Sequence, residues 1–176
     1  MQLPVNDSTF WIGYWASNIG GAVIAVTGWK FTRIARFLLA SLFAWACWFN
    51  LDTVAETPDA YVDYAWLTPF SWYSEFMNGY FAANVTEIVT AVSIAQGLLA
   101  LCFLLGRVYA RIAAIGTIIF LMVVLPLGIG SAFPAPILMA IGAYFVYRNT
   151  KNVGRKAETS GRKAETGKRR SGRGNA

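Results

Sequence analysis

Three apolar stretches, residues 86–106, 109–129 and 132–148, follow one another with only two residues between neighbours. A bilayer's hydrocarbon core, about 30 Å thick, is crossed by roughly 20 helical residues. Every backbone N–H and C=O inside it must be bonded within the chain, so such stretches read as helices. Their connectors are too short for soluble structure, and the three segments are expected as consecutive antiparallel neighbours. Residues 34–51 (IARFLLASLFAWACWFNL) form a further candidate, with Arg36 near its start. Residues 10–28 are uncharged and long enough, but Ser17, Asn18 and several glycines make them the weakest candidate. They lack a basic leading region and a small-x-small cleavage site, so they do not resemble a cleavable signal peptide.

Composition agrees. Only 14% of the 176 residues are charged and 56% are hydrophobic, where an ordinary soluble domain carries about 25% charged residues. The expected fold is an all-α integral membrane protein. It is a compact antiparallel bundle of four core transmembrane helices with an extra N-terminal span. Residues 1–32 hold that extra segment, 33–148 the four-helix membrane domain with an outer aromatic loop at 52–83, and 149–176 a basic tail.

Charge sets the orientation, because cytoplasmic loops of membrane proteins are enriched in Lys and Arg. With five alternating spans, Lys30, Arg33 and Arg36 fall between the first two, and Arg107 and Arg111 between the third and fourth. The ten cations from Arg148 onward follow the fifth, so all fifteen basic residues share one side. Asp7, Asp52, Glu56, Asp59, Asp63, Glu75 and Glu87 fall on the other. The expectation is an N-terminus outside and a C-terminus in the cytoplasm, in the plasma membrane of a prokaryote. The tail contains the near-repeat GRKAETS-GRKAETG and has no apolar side chain larger than Ala from residue 154 on. It cannot bury a core and is expected to be disordered. Its expected partners are anionic lipid or an acidic protein surface; no specific nucleic acid is expected.

The long outer loop is rich in aromatics. Trp66, Phe70, Tyr73, Met77 and Tyr80 recur at three- and four-residue steps, the spacing of one helical face. This predicts an amphipathic helix in the membrane interface, where Trp and Tyr place an apolar body and a polar tip. The functional version of the pattern is an aromatic lid over an apolar pocket, built from Trp66, Trp72 and Tyr73.

The chain contains no histidine, which removes His-ligated haem and the usual copper and zinc sites; no metal site is expected. Cys47 and Cys102 are not in a C-x-x-C arrangement and are read as small apolar residues at different depths. Asn84 and Glu87 have the N-cap and N3 spacing of a helix start. An ionisable residue at membrane depth is otherwise a functional candidate, which makes Glu87 a possible partner for a quinone headgroup. Gln96 lies deeper and is expected to hydrogen-bond a neighbouring helix. Arg107 and Arg111 flank a tight inner turn and are candidates for lipid phosphate.

The stretch Gln96-Gly97-LLALCFLLG-Arg107-VYA-Arg111-IAA resembles the signature of DoxX-type membrane proteins, and Arg36-FLLASLFAWACWFN resembles that family's opening helix. The resemblance covers about residues 33–148. It departs at two places: the family's glutamate position falls on Gln96 and its lysine position near Asn50, so amides stand where ionisable groups are expected. The resemblance implies a non-catalytic or accessory subunit of a respiratory or redox-linked membrane complex, with other membrane subunits and lipids as partners. The alternative it implies is a DoxD-like subunit of thiosulfate:quinone oxidoreductase type. Quinone would then be the cofactor, held by Glu87, Gln96 and the loop aromatics. A small transporter is a weaker reading, since the inverted repeat and paired broken helices expected there are missing.

Overall fold

Pro126, Pro69 and the Leu105-Gly106 pair punctuate a chain that is otherwise built to be helical. A computed structural model describes residues 8–151, and among these every regular element is a helix. Helix α1 spans Ser8–Lys30 and α2 Thr32–Glu56, with Phe31 alone between them. A 3₁₀ segment, Pro58–Leu67, leads to the short α3 (Ser71–Phe76), which runs on through a π-helical turn, Met77–Phe81. Helices α4 (Val85–Leu104) and α5 (Arg107–Val124) follow. Beyond Val124, Pro126 can no longer supply a backbone N–H, and the chain tightens into a 3₁₀ segment, Leu125–Ser131. The last described helix, α6, covers residues 135–151. The basic tail and the first seven residues, and the expectations made for them, lie outside the described part.

Three helical segments are long and apolar enough to cross a membrane: Thr32–Glu56, Val85–Leu104 and Arg107–Ser131. Helix α1, with Ser17, Asn18 and its glycines, is not among them, nor is the shorter α6. The five expected segments are thus helical over most of their length, with 105–106 and 132–134 outside the helices, while three helical segments meet the length and composition of a span.

The side chains are sorted inside out relative to a water-soluble bundle. On α5 the buried residues are Ala110, Ala113, Ala114, Thr117 and Leu121, while Val108, Ile112, Ile115, Ile119 and Val123 point outward and are exposed. On α4, Ser93, Gln96 and Ala100 are buried, and Ile94, Leu98, Leu101 and Leu104 are exposed. Helix α2 likewise exposes Phe37, Trp45 and Trp48. Contiguous apolar surface on this scale needs an apolar surround. Small residues inside let helix backbones approach closely, as membrane helices require.

Hydrogen bonds between distant segments fix which ends meet. Arg36 donates from Nε to the Phe103 carbonyl at 2.9 Å and from Nη2 to the carbonyls of Phe103 and Leu105, satisfying groups that the end of α4 leaves free. Arg111 donates to the Thr150 carbonyl at 2.7 Å, and Asn149 bonds Gly28 and Thr32. Residues 28–36, 103–111 and 149–151, with their cations, are thereby gathered at one end. At the other end Tyr14 and Asn18 bond the carbonyls of Phe133 and Ala132, Thr68 bonds that of Pro126, and Tyr73 that of Val123.

Helices α1 and α6 touch through glycine. A Cβ on Gly28 would lie 2.7 Å from the Gly142 carbonyl oxygen, and one on Gly142 would lie 2.7 Å from that of Ile24. Neither backbone can yield to a side chain without the helices separating. Gly142→Leu is therefore expected to destabilise the detergent-solubilised chain by about 1–3 kcal/mol, seen as a lower thermal midpoint. Gly13→Leu, with nothing near its Cβ, should leave the midpoint unchanged. Equal midpoints for the two variants would mean that the α1–α6 crossing contributes nothing.

Candidate functional site: an amide relay beside an apolar cavity

Two apolar clusters occupy the molecule. One, around Leu39, Phe43, Phe103, Ala113, Ala143 and Val146, fills the bundle. The other, around Val54, Ala65, Tyr73, Met77, Phe81, Val85 and Val89, lies where the segment between α2 and α4 folds over these two helices. On α4, Val85 and Val89 belong to the second and Ala100 and Phe103 to the first. Between them the helix buries two polar residues, Ser93 and Gln96.

Ser93 satisfies itself by donating to the Val89 carbonyl on the preceding turn at 2.6 Å. Gln96 cannot do so and turns to α2. Its Oε1 accepts from Asn50 Nδ2 at 2.9 Å, and Asn50 Oδ1 accepts from the Tyr61 hydroxyl at 2.9 Å. Tyr61 comes from the 3₁₀ segment Pro58–Leu67, so one relay ties α4, α2 and the loop between them together. Burial pushes the Tyr61 phenol up, its hydrogen bond with Thr53 opposes this, and Tyr64 adds to the rise. Burial raises Tyr64 and Tyr73 too. The folded state thus favours the protonated phenols, which remain donors at neutral pH. The associated stability is lost only as pH rises past the ordinary phenol value near 10.

Gln96 is also the one amide lining a half-open cavity of about 310 Å³ between parts of α1, α2, α4, α5, the 3₁₀ segment after α5, and α6. Leu42, Phe43, Phe120, Leu121 and Met139 supply much of the wall, with Ser17 and Ser131 as the other polar contributors. The lining contains no acid, no base, no cysteine and no tyrosine. Such a space can hold an apolar molecule and orient it by a hydrogen bond, but it offers no side chain able to exchange a proton at neutral pH.

The residues singled out in the sequence are therefore only partly brought together. Gln96 is 4% exposed and lies at the cavity. Glu87 is exposed and does not line it; nine residues of helix separate the two, about 13 Å along the axis. The aromatic face also divides. Thr68 and Pro69 interrupt the helix, leaving Trp66 68% and Trp72 60% exposed, while Tyr73 and Met77 turn inward. Phe70 and Tyr80 are exposed as well. Asn84 does stand at the N-cap of α4, but its side chain makes no cap bond. It donates instead to the Tyr80 carbonyl at 2.9 Å, closing the helical turn behind it. Arg107 is exposed, whereas Arg111 is half-buried and committed to α6, with its Nε buried and unpartnered. Cys47 and Cys102 are both free and partly buried. Among the described residues no cluster of His, Cys, Asp or Glu is placed to hold a metal.

Asn50 and Tyr61 escaped the sequence-based site list. The signal available for Asn50 was its position at the end of an apolar run, which is also an ordinary place for an amide. Its pairing with Gln96, 46 residues away, leaves no periodic trace. No protein family's sequence model matches the chain, and no curated protein or solved structure matches it either.

The relay makes a separable prediction. Asn50→Leu strands the Gln96 oxygen, and Gln96→Leu strands the Asn50 amide, so each single change should cost stability. The double variant should recover part of the loss, with a coupling of about 0.6–1.7 kcal/mol, the range for hydrogen bonds between membrane helices. Thermal unfolding of the four forms in one detergent measures it, and strictly additive losses would remove the energetic role assigned to the bond.

Proposed function

We propose that this chain is a multi-pass membrane protein that works as a non-catalytic, accessory subunit of a redox-linked membrane complex in a prokaryotic plasma membrane. In this reading α2, α4, α5 and α6 are four antiparallel core spans and α1 is a fifth. The carboxyl end faces the cytoplasm, and the loop between α2 and α4 faces out. The observation that carries the reading is the inside-out sorting of side chains: buried alanines and glycine contacts inside, with large apolar residues and tryptophans outside. The gathering of Lys30, Arg36, Arg107 and Arg111 at one end supports the orientation.

The accessory role rests on the chemistry of the centre. The DoxX-like resemblance sets a carboxylate and an amine where this chain has Gln96 and Asn50, and here the two amides hydrogen-bond each other at 2.9 Å. A neutral pair avoids the desolvation penalty of buried ions but surrenders their proton chemistry. The quinone-binding reading retains Gln96 and the apolar cavity as support; Glu87, Trp66 and Trp72 do not line that cavity.

Two measurements test the proposal. In intact cells a membrane-impermeant maleimide should label Asp59→Cys, while Lys30→Cys should react only after permeabilisation; the two native cysteines are first replaced by Ala. The reverse pattern would invert the topology. Mild-detergent purification from native membranes should retain other membrane subunits in stoichiometric amounts. Recovery of the chain alone, at full yield and folded, would sink the accessory-subunit reading.

A further inference from the structure

Gln96 has two hydrogen-bonding ends, and the protein uses one. The relay runs in one direction: the Tyr61 hydroxyl donates to Asn50 Oδ1, and Asn50 Nδ2 donates to Gln96 Oε1. The Gln96 Nε2 group is therefore the free terminus. Among the described residues it has no acceptor, and it is not one of the fully buried unpartnered atoms, which are Arg111 Nε and Thr117 Oγ1, so it keeps access to the cavity. A primary amide carries two N–H donors, and in apolar surroundings a donor without an acceptor gains by finding one. Ser93, three residues earlier, shows how α4 silences a buried polar group when nothing else is required of it. Gln96 is not silenced in this way.

The same residue is part of the cavity wall. The cavity volume of about 310 Å³ lies at the small end of the roughly 300–1,000 Å³ range of ligand sites. Its wall is apolar where Leu42, Phe43, Phe120, Leu121 and Met139 line it. It suits a small ring or a length of chain and not a whole lipid. No cation or ionisable group lines it, so a charged ligand would be left uncompensated. We propose that the cavity binds a neutral lipophilic carbonyl compound, whose oxygen accepts from Gln96 Nε2 while its hydrocarbon part fills the apolar wall. Both a quinone and the acyl ester of a bilayer lipid present this chemistry. The inference deepens the membrane-subunit reading and rests on its membrane component, but it needs no partner subunit.

The relay also preorganises the donor. With Asn50 and Tyr61 holding the oxygen end, the amide is kept from flipping, and its N–H groups remain directed away from that bond. A donor fixed before binding costs less ordering when the ligand arrives.

The test uses a matched pair of probes, 2-undecanone and undecane, with the full chain in lipid-depleted micelles. The ketone is expected to bind wild type roughly three- to tenfold more tightly than the alkane, the range of one net hydrogen bond. Gln96→Leu should abolish that preference while still admitting both probes, and Ala46→Phe, which fills the cavity, should weaken both. Equal binding of ketone and alkane to wild type overturns the proposal, as does undiminished binding to Ala46→Phe. The infrared carbonyl stretch of isotope-labelled ketone gives a readout independent of affinity. It should move to lower frequency on binding wild type and not on binding the Asn50-intact Gln96→Leu variant; no shift in wild type overturns the assigned bond. Should Gln96→Leu fail to fold, the wild-type preference, the wild-type infrared shift and the Ala46→Phe result decide the matter. Mass spectrometry of solvent extracts from protein purified out of its own membranes separates the sources: a retained quinone or a retained acyl ester each supports the site and names its occupant. Extracts in which wild type retains no more carbonyl lipid than Ala46→Phe count against it. Alkaline extraction of membranes keeps the two readings apart. A chain released into the supernatant ends the membrane reading itself, whereas a chain retained in the pellet with no ketone preference ends only this proposal.

Discussion

Ala35, Ala110, Ala113, Ala114 and Ala143 have no accessible surface, while Ile112, Ile115 and Ile119 on α5 face outward. That distribution follows from a surround in which apolar side chains gain nothing by hiding. In water each large side chain would be driven inward by about 1.5–3 kcal/mol; in hydrocarbon that drive is absent, and what remains is contact between backbones and the few hydrogen bonds that cross between helices. The bundle depends on this close approach. Gly28 against Gly142 is its extreme case, since even one methylene carbon on either would fall within 3 Å of the facing backbone. Gly97 against the Cys47 sulfur, at 3.0 Å from an added Cβ, is a milder version that a side chain can relieve.

Close approach has a consequence for polar groups. Small interior residues leave space that large ones would fill, and polar atoms in that space must find partners within the protein. The two ends solve this with fixed anchors: Arg36 on the last carbonyls of α4, Arg111 on α6, Tyr73 on the last turn of α5 and Thr68 on the chain just after it. In the middle, among the described residues, Gln96 to Asn50 is the side-chain bond that joins two helices, the Thr117 hydroxyl is buried without a partner, and Gln96 is where the interior stays open. The cavity at the centre thus comes with incomplete packing, bounded by an amide that is linked through Asn50 to Tyr61. A charge in the same position would need a counter-charge nearby; an amide needs only an acceptor.

How much of this was legible in the sequence varied with the range of the interaction. The helices at 86–106 and 109–129 could be read directly, because their signal is local: apolar residues continue long enough to form a helix and nothing interrupts them before Gly106 or Pro126. The loop misled for a local reason as well. Trp66, Phe70, Tyr73, Met77 and Tyr80 have helical spacing, but Pro69 has no N–H to give, and the chain changes direction there. After Pro69 only Tyr73 and Met77 of that face lie inside; Tyr80, in the π-helical turn, is exposed, as is Trp66 before the break. Asn84 misled because N-cap position and N-cap bonding are different things: the same amide can serve the helix ahead or the turn behind, and here it serves the Tyr80 carbonyl.

Gln96 shows the limit most clearly. Burial against another helix was predictable from an amide in an apolar run. Which helix it would meet, and which of its two ends would be left over, depended on residues 46 and 35 positions away. That leftover end distinguishes a structural hydrogen bond from a binding group. If Asn50 were an acceptor alone, Gln96 would have to donate to it and would offer its oxygen to the cavity, selecting alcohols or amines. In the arrangement seen, the Tyr61 hydroxyl donates to Asn50 Oδ1 and Asn50 Nδ2 donates to Gln96, which leaves Gln96 Nε2 over. The selectivity argued for the cavity therefore follows the direction of a bonded chain whose far end does not line it.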